Sequence, residues 1–376
     1  MLFIRQEDLK TGMRLAKPIY NKKGVLLYER NSKLTTQGIE SIKNFGLIGI
    51  YILEPAEPLP PMTQDDIEFE RFQTMCVFSI QEELMFIQEK GKYTKLPFLA
   101  DTIIRSYGVL DRKINFVQNL RSSEDYVYKH SLNVAILCAL IGHQMNMRRE
   151  ELSDTICAAV IHDIGKLNIP PEIMKKGKNL TDQEAVSVRH FEYSALDMID
   201  QACRVFSPSI KRIVQQAFVQ RDNYINQKPV DLSKVIRGAK ILIVAEAFDT
   251  MTAMNYNEEP ASEVKALREL MQNPEIYDEQ VVDALIKSVN FLAEGCSVEL
   301  SNGEKGLVLA ANENDILKPM ILLFRDNSII DLRQQLIYDD LEIKDIMKTL
   351  DNRNIMDQNT INALRGEKAQ SDNQKE

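Results

Sequence analysis

Residues 150–166 read EELSDTICAAVIHDIGK, and this stretch decides the architecture. Ile156, Ala159 and Val160 recur at helical spacing, so Glu150 to Ile161 is read as a helix with one apolar face. It runs directly into His162-Asp163-Ile164-Gly165-Lys166, where Gly165 stops it. Adjacent His and Asp at a helix end can reach one point, offering an imidazole nitrogen and a hard carboxylate to a single cation. Such mixed nitrogen and oxygen sets suit Fe, Mn or Zn rather than Ca. Lys166 adds a fixed positive charge close by, suited to a phosphate oxygen.

The next elements outward repeat the theme. Val127, Val134, Leu137 and Ile141 share one face of a preceding helix that carries His130. Thr181-x-x-Glu184 is a capping box opening a later helix that carries His190, because hydroxyl and carboxylate satisfy each other's orphan amides. Three helices can therefore aim three imidazoles and one carboxylate at a shared centre, and a bundle interior is a common home for such sites. The chain has only four histidines, all between residues 130 and 190. The fourth, His143, has no partner pattern and reads as surface. Asp249, in Phe248-Asp249-Thr250, fits a helix cap, a support for a ligand or a ligand itself.

The helical pattern extends from about Asp65 to Leu292, including a helix from about Val235 with Ile236, Ile243 and Ala247. Ahead of it, residues 1–54 read as a small α+β module. Short β-favouring runs (Arg14 to Tyr20, Gly24 to Tyr28) flank a turn at Asn21-Lys22-Lys23-Gly24; a helix from about Thr36 to Asn44 and a β-rich run Ile48 to Leu53 follow. Residues 55–64 are a proline-rich linker, because proline lacks the N–H that helix and sheet require. After Gly295, Ser297 to Leu300 and Gly306 to Leu309 flank the turn Ser301-Asn302-Gly303-Glu304; Met320 to Phe324 and Ser328 to Leu332 read as two further strands. The helical domain with these hairpins spans 65–335. Residues 336–376 read as a helix from about Asp339 to Leu350 and a polar, frayed tail. The fold class is mainly α, with a small α+β module in front and a short β-hairpin extension behind.

At 376 residues, with 27% charged and 44% hydrophobic residues, the composition is that of a globular chain of two to three domains. A net charge of −9 gives no global footprint for duplex nucleic acid or an anionic membrane. Five widely spaced cysteines without a C-x-x-C pair read as reduced, buried thiols. The N-terminus is too short in apolar residues for a signal peptide, and the longest apolar run, Val134 to Ile141, is too short for a membrane span. The expected location is cytoplasmic.

His130, His162-Asp163-Ile164-Gly165-Lys166 and His190 resemble the HD superfamily of metal-dependent phosphohydrolases, and specifically its HD-GYP branch. Ile169-Pro170-x-Glu172-Ile173, Gly177-x-x-Leu180-Thr181-x-x-Glu184, residues 245–252 (AEAFDTMT) and Leu300 to Glu304 carry the same likeness, which covers about Ser122 to Leu332. The resemblance implies a helical HD-type bundle that hydrolyses cyclic di-GMP to linear pGpG or GMP with Fe or Mn in preference to Zn or Mg. It assigns metal ligation to His130, His162, Asp163, His190 and Glu246, catalysis to Asp163 and Lys166, and substrate binding to Lys166. It leaves open a homodimer or a signalling-protein partner.

The departures from that pattern are specific. The family's His-His-Glu followed by Asp-Gly-x-Gly-Tyr-Pro falls, counted back from Glu246, on Ala217-Phe218-Val219 with Asp222 keeping the aspartate; Gln215-Gln216 is the alternative register. Either way no histidine follows His190. Tyr126 stands where a further glutamate ligand would precede His130, and the final aspartate is Glu246, whose extra methylene moves the carboxylate by about 1.5 Å. A first ion would keep His130, His162, Asp163 and Glu246; a second would keep only Asp163 and His190. The expectation is one ion and weak or lost hydrolysis. The alternative is an inactive cyclic di-GMP-binding or protein-interaction regulator on the same scaffold.

Overall fold

A computed structural model describes residues 2–20, 25–45, 47–53, 64–116, 118–122, 124–177, 179–255, 259–292, 294–312, 314–334 and 340–346. At the N-terminus, β1 (Leu2–Arg5) and β2 (Arg14–Leu15) flank β5 (Gly49–Leu53) antiparallel, while β3 (Ile19–Tyr20) and β4 (Leu26–Tyr28) form a separate ribbon. Helix α1 (Thr36–Asn44) is capped by Thr35, whose hydroxyl accepts from Gly38 N at 3.0 Å. Leu15, Ile19, Leu34, Ile42 and Ile50 close a small core between the helix and the sheet. The expected turn at 21–24, the tail beyond 346 and all but residue 64 of the expected linker lie outside the described residues.

The central body holds α2 (Gln64–Lys90), α3 (Leu96–Tyr107), α4 (Tyr126–Gln144), α5 (Arg149–Ile161), α6 (Pro171–Met174), α7 (Asp182–Cys203), α8 (Pro208–Ile225), α9 (Arg237–Thr252), α10 (Glu263–Gln272) and α11 (Glu279–Ser288). Helix α4 is the axis. The expected amphipathic stripe understates it: almost every side chain from Val127 to Gly142 is buried, because α2, α3, α5, α9 and α11 surround it. Its polar positions His130, Ser131 and Asn133 are buried with the rest. Helix α3 receives its N-terminal cap from another element. Buried Glu83 of α2 accepts from Thr94 N, Lys95 N and Leu96 N at 2.7, 2.8 and 3.0 Å, which sets an anion against the helix's orphan amides.

Two expectations change here. The helical pattern is not continuous from 65 to 292. Residues 108–125 are irregular where described, and they bridge to the N-terminal module through Leu47 with Ser122 and to the end of α11 through Ile114 with Val289. The expected helix from Asp339 is instead a strand where described, β10 (Ile343–Ile346), which pairs antiparallel with β6 (Ser297–Leu300). Burial of Ile343 against that edge outweighs local helix preference. With β7 (Lys305–Ala310), β8 (Met320–Leu323) and β9 (Ile329–Asp331), the sheet order is β10-β6-β7-β8-β9. All five cysteines are free, four of them buried, and no described helix is long and apolar enough to cross a membrane.

Gly165 sets the distance between the end of α5 and α7. A Cβ there would lie 2.0 Å from Phe191 O and 3.1 Å from Ala195 N, both backbone atoms that cannot swing away. Gly165→Ala is therefore expected to cost about 3 kcal/mol, the upper range for overpacking, as a lowered urea midpoint with an unchanged slope. A midpoint equal to wild type would contradict this packing.

Candidate metal centre

His162 closes α5, and its Nδ1 lies 2.7 Å from Ala159 O. A carbonyl only accepts, so Nδ1 carries the proton and Nε2 keeps its lone pair. That Nε2 is buried and has no hydrogen-bond partner. His130 is fixed the same way from the other side, with Nδ1 donating to Asp249 Oδ2 at 2.6 Å. The ligand atoms of His130, His162 and Glu246 lie within 4.8 Å of one another. Asp163 joins them, its carboxylate 3.5 Å from His130 Nε2 and 3.6 Å from His162 Nε2. Its Oδ1 is also buried without a hydrogen-bond partner. Two aimed imidazole lone pairs and an unsatisfied carboxylate oxygen would each be costly to bury idle, and a divalent cation satisfies all of them.

The support beneath His130 is a buried hydrogen-bond network centred on Asp249. Asp249, one turn after Glu246 on α9, accepts from Arg121 Nη2 at 2.6 Å, Asn133 Nδ2 at 2.9 Å and Gln118 Nε2 at 3.1 Å. Arg121 and Asp249 side chains are both 0% exposed, and the guanidinium packs over the Tyr126 ring, itself stacked beside His130. Of the three roles left open for Asp249, the geometry is that of a support: it grips His130 by the nitrogen facing away from the cluster. Arg121 carries no signal in the sequence, because it sits in the irregular segment before α4.

A chain of alternating charges borders the cluster. Lys166 Nζ lies 2.8 Å from Asp163 Oδ2 and 3.4 Å from Glu192. Arg221, on α8, donates to Glu192 at 3.0 Å and to Glu246 Oε1 at 2.8 Å. Neither Glu192 nor Arg221 is among the expected site residues, although Glu192 lies two positions after His190 and Arg221 adjoins Asp222 of the altered motif. Burial by itself would raise Asp163, yet His162, Lys166 and His130 together hold its carboxyl well below the ordinary range. Burial likewise would raise Glu246, and Arg221 with His162 brings it down. Lys166 is disfavoured by burial, but Asp163 and Glu192 keep it charged.

Two expected positions lie elsewhere. His190 is exposed on α7 and is not in the group formed by His130, His162 and Glu246. Ala217 and Phe218, where the resemblance expects two imidazoles, are buried in the apolar core. His143 pairs with Asp111 at 2.8 Å, apart from the centre.

Residues 115–281 match the family described as HD domain. A cyclic di-GMP phosphodiesterase of Pseudomonas aeruginosa is 26% identical over 220 residues, which is 58% of this chain and 53% of the relative. A 3'3'-cGAMP-specific phosphodiesterase of Vibrio cholerae is 23% identical over 206 residues, 50% of this chain and 39% of that protein. A solved structure of an HDG"Y"P protein from Bdellovibrio bacteriovorus is similar at 12% identity and a TM-score of 0.45, covering 76% of this chain and 97% of that one. The chain spans about half the length of the first of these relatives and less of the second. Its central region thus matches an HD domain, and several relatives of that region are named as cyclic dinucleotide phosphodiesterases.

Acid should weaken the metal-free fold. Burial holds His162 below its ordinary value, so below about pH 6.5 the unfolded chain takes up a proton that the folded chain refuses. Asp163, Asp249 and Glu246 are depressed, so their contribution is complete above the unfolded carboxylate range and is lost as pH falls through it. Both effects have one sign: the urea midpoint is expected to fall from pH 7 to pH 3, and a rise would contradict it. Asp249→Asn should leave Arg121 buried without a counter-charge, at about 3–5 kcal/mol. Calorimetry on that variant should also show Mn(II) bound about 10- to 100-fold more weakly.

Proposed function

We propose that this chain is a metal-dependent phosphoester hydrolase acting on a cyclic dinucleotide, cyclic di-GMP first among candidates, with one ion at its centre. The observation that carries the reading is the pair of buried, unpartnered ligand atoms, His162 Nε2 and Asp163 Oδ1, beside His130 and Glu246. His130, His162, Asp163 and Glu246 would hold the ion, and their mixed imidazole and carboxylate chemistry favours Fe or Mn over Mg. When bound, such an ion supplies Lewis acidity, drawing charge from a phosphoryl oxygen and making water a stronger acid. The relatives named as cyclic di-GMP and 3'3'-cGAMP phosphodiesterases support the substrate class.

The chain's own residues take the remaining roles. Lys166 stays protonated between Asp163 and Glu192, so it is a poor proton acceptor. Its part is a fixed charge for a non-bridging phosphate oxygen. Asp163 orients Lys166 through Oδ2 while leaving Oδ1 to the ion. Asp249 keeps the His130 Nδ1 proton in place, so that Nε2 remains a ligand. Activity should be weak, because His190 is exposed and α8 offers Ala217 and Phe218 in place of imidazoles. Those same features favour a second reading, a receptor that binds the dinucleotide without cleaving it.

Turnover of cyclic di-GMP by the Mn- or Fe-loaded chain separates the two. Slow hydrolysis, abolished by chelation and reduced at least about 100-fold by Asp163→Ala, supports the enzyme. Binding without turnover supports the receptor, and neither binding nor turnover overturns both.

A further inference from the structure

Five side chains, two from the turn after α5 and one each from α7, α8 and α9, alternate in charge along one wall of the ligand cluster: Asp163, Lys166, Glu192, Arg221 and Glu246. Successive contacts run 2.8, 3.4, 3.0 and 2.8 Å. We propose that Arg221, with Lys166, is a built-in cation pair that substitutes for a second metal ion and limits this centre to one. The proposal rests on the one-ion reading above and adds what enforces it.

The charge balance argues for it. Asp163, Glu192 and Glu246 bring three negative charges, and Lys166 and Arg221 return two positive ones, leaving −1. One divalent ion takes the group to +1. A second would take it to +3 among side chains that are between 1% and 24% exposed, where charge is poorly screened. Arg221 also consumes ligand capacity: it holds Glu246 Oε1 and one oxygen of Glu192, two carboxylate oxygens beside the cluster that an additional cation could otherwise take. Arginine suits this post because its guanidinium does not deprotonate and its fork spans two carboxylates at once.

Its position on α8 is built in. The guanidinium lies over the Phe218 ring, 5.0 Å from the centroid and one turn back on the same helix. Phe218 is fully buried and packs against Tyr193 of α7. The next residue, Asp222, accepts from Tyr193 OH at 2.6 Å and from Arg189 at 2.7 Å, tying α8 to α7 at the level of Arg221. Arg221 itself keeps 24% of its side chain exposed, so the cation pair is not sealed off from an anion in solvent.

The test is a titration of Mn(II) into the metal-stripped full chain, followed by calorimetry, with elemental analysis after desalting. Wild type should bind one ion. Arg221→Gln and Arg221→Met, one polar and one apolar so that the result does not hang on a single variant folding, should each bind two. Arg221→Lys should return the count to one. Circular dichroism and thermal unfolding qualify each variant before titration. One ion in wild type and still one in folded Arg221→Gln and Arg221→Met would overturn this inference and leave the one-ion reading standing. Two ions in wild type would overturn both, while none would remove the reading on which the inference rests.

Discussion

The Arg121–Asp249 ion pair is the constraint from which the centre is built. Two full charges at zero exposure are costly unless their hydrogen-bonding positions are filled, and here Asn133, Gln118 and His130 fill those of the Asp249 carboxylate, while Arg121 Nη1 alone is left without a partner. The pair therefore fixes three pieces of chain at once: the irregular segment before α4, α4 itself and α9. Its consequence for chemistry is directional. Asp249 takes the Nδ1 side of His130, which leaves Nε2 facing Asp163 and His162, while Ala159 O does the same for the second imidazole.

The N-terminal module reaches this network as well. Lys17 Nζ donates to Gln118 O at 2.6 Å, and the side chain of Gln118 donates to Asp249. The loop carrying Arg121 is further tied down by Ile48 N donating to Arg121 O at 3.0 Å. The ligand cluster is thus held at its base by a charge-neutral, densely hydrogen-bonded group and bordered on one wall by alternating charges.

Much of this was legible in the sequence, for reasons that differ by element. The helix at Thr36–Asn44, the capping box at Thr181 and Glu184, and the hairpin around residues 301–304 are local signals whose chemistry is complete within a few residues. His162 and Asp163 were readable because adjacency and a glycine stop announce them. Strand β10 was not, since its pairing with β6 lies more than forty residues away and local preference pointed to helix. Arg121 and Arg221 were hidden for a related reason. An arginine on a loop or on a helix face reads as solvated until the fold brings carboxylates to meet it. His190 shows the converse: it sits at a compatible spacing in the sequence, yet its place on α7 leaves it exposed.

The central claim is that two imidazoles, His130 and His162, with carboxylates form the ligand set of one ion. X-ray absorption at the Mn or Fe edge of the loaded chain reads that directly, because imidazole rings give a distinctive outer-shell scattering pattern. The account predicts two imidazoles per metal with oxygen donors completing the shell. Three or more imidazoles, which would require His190 or His143, or none at all, would contradict it.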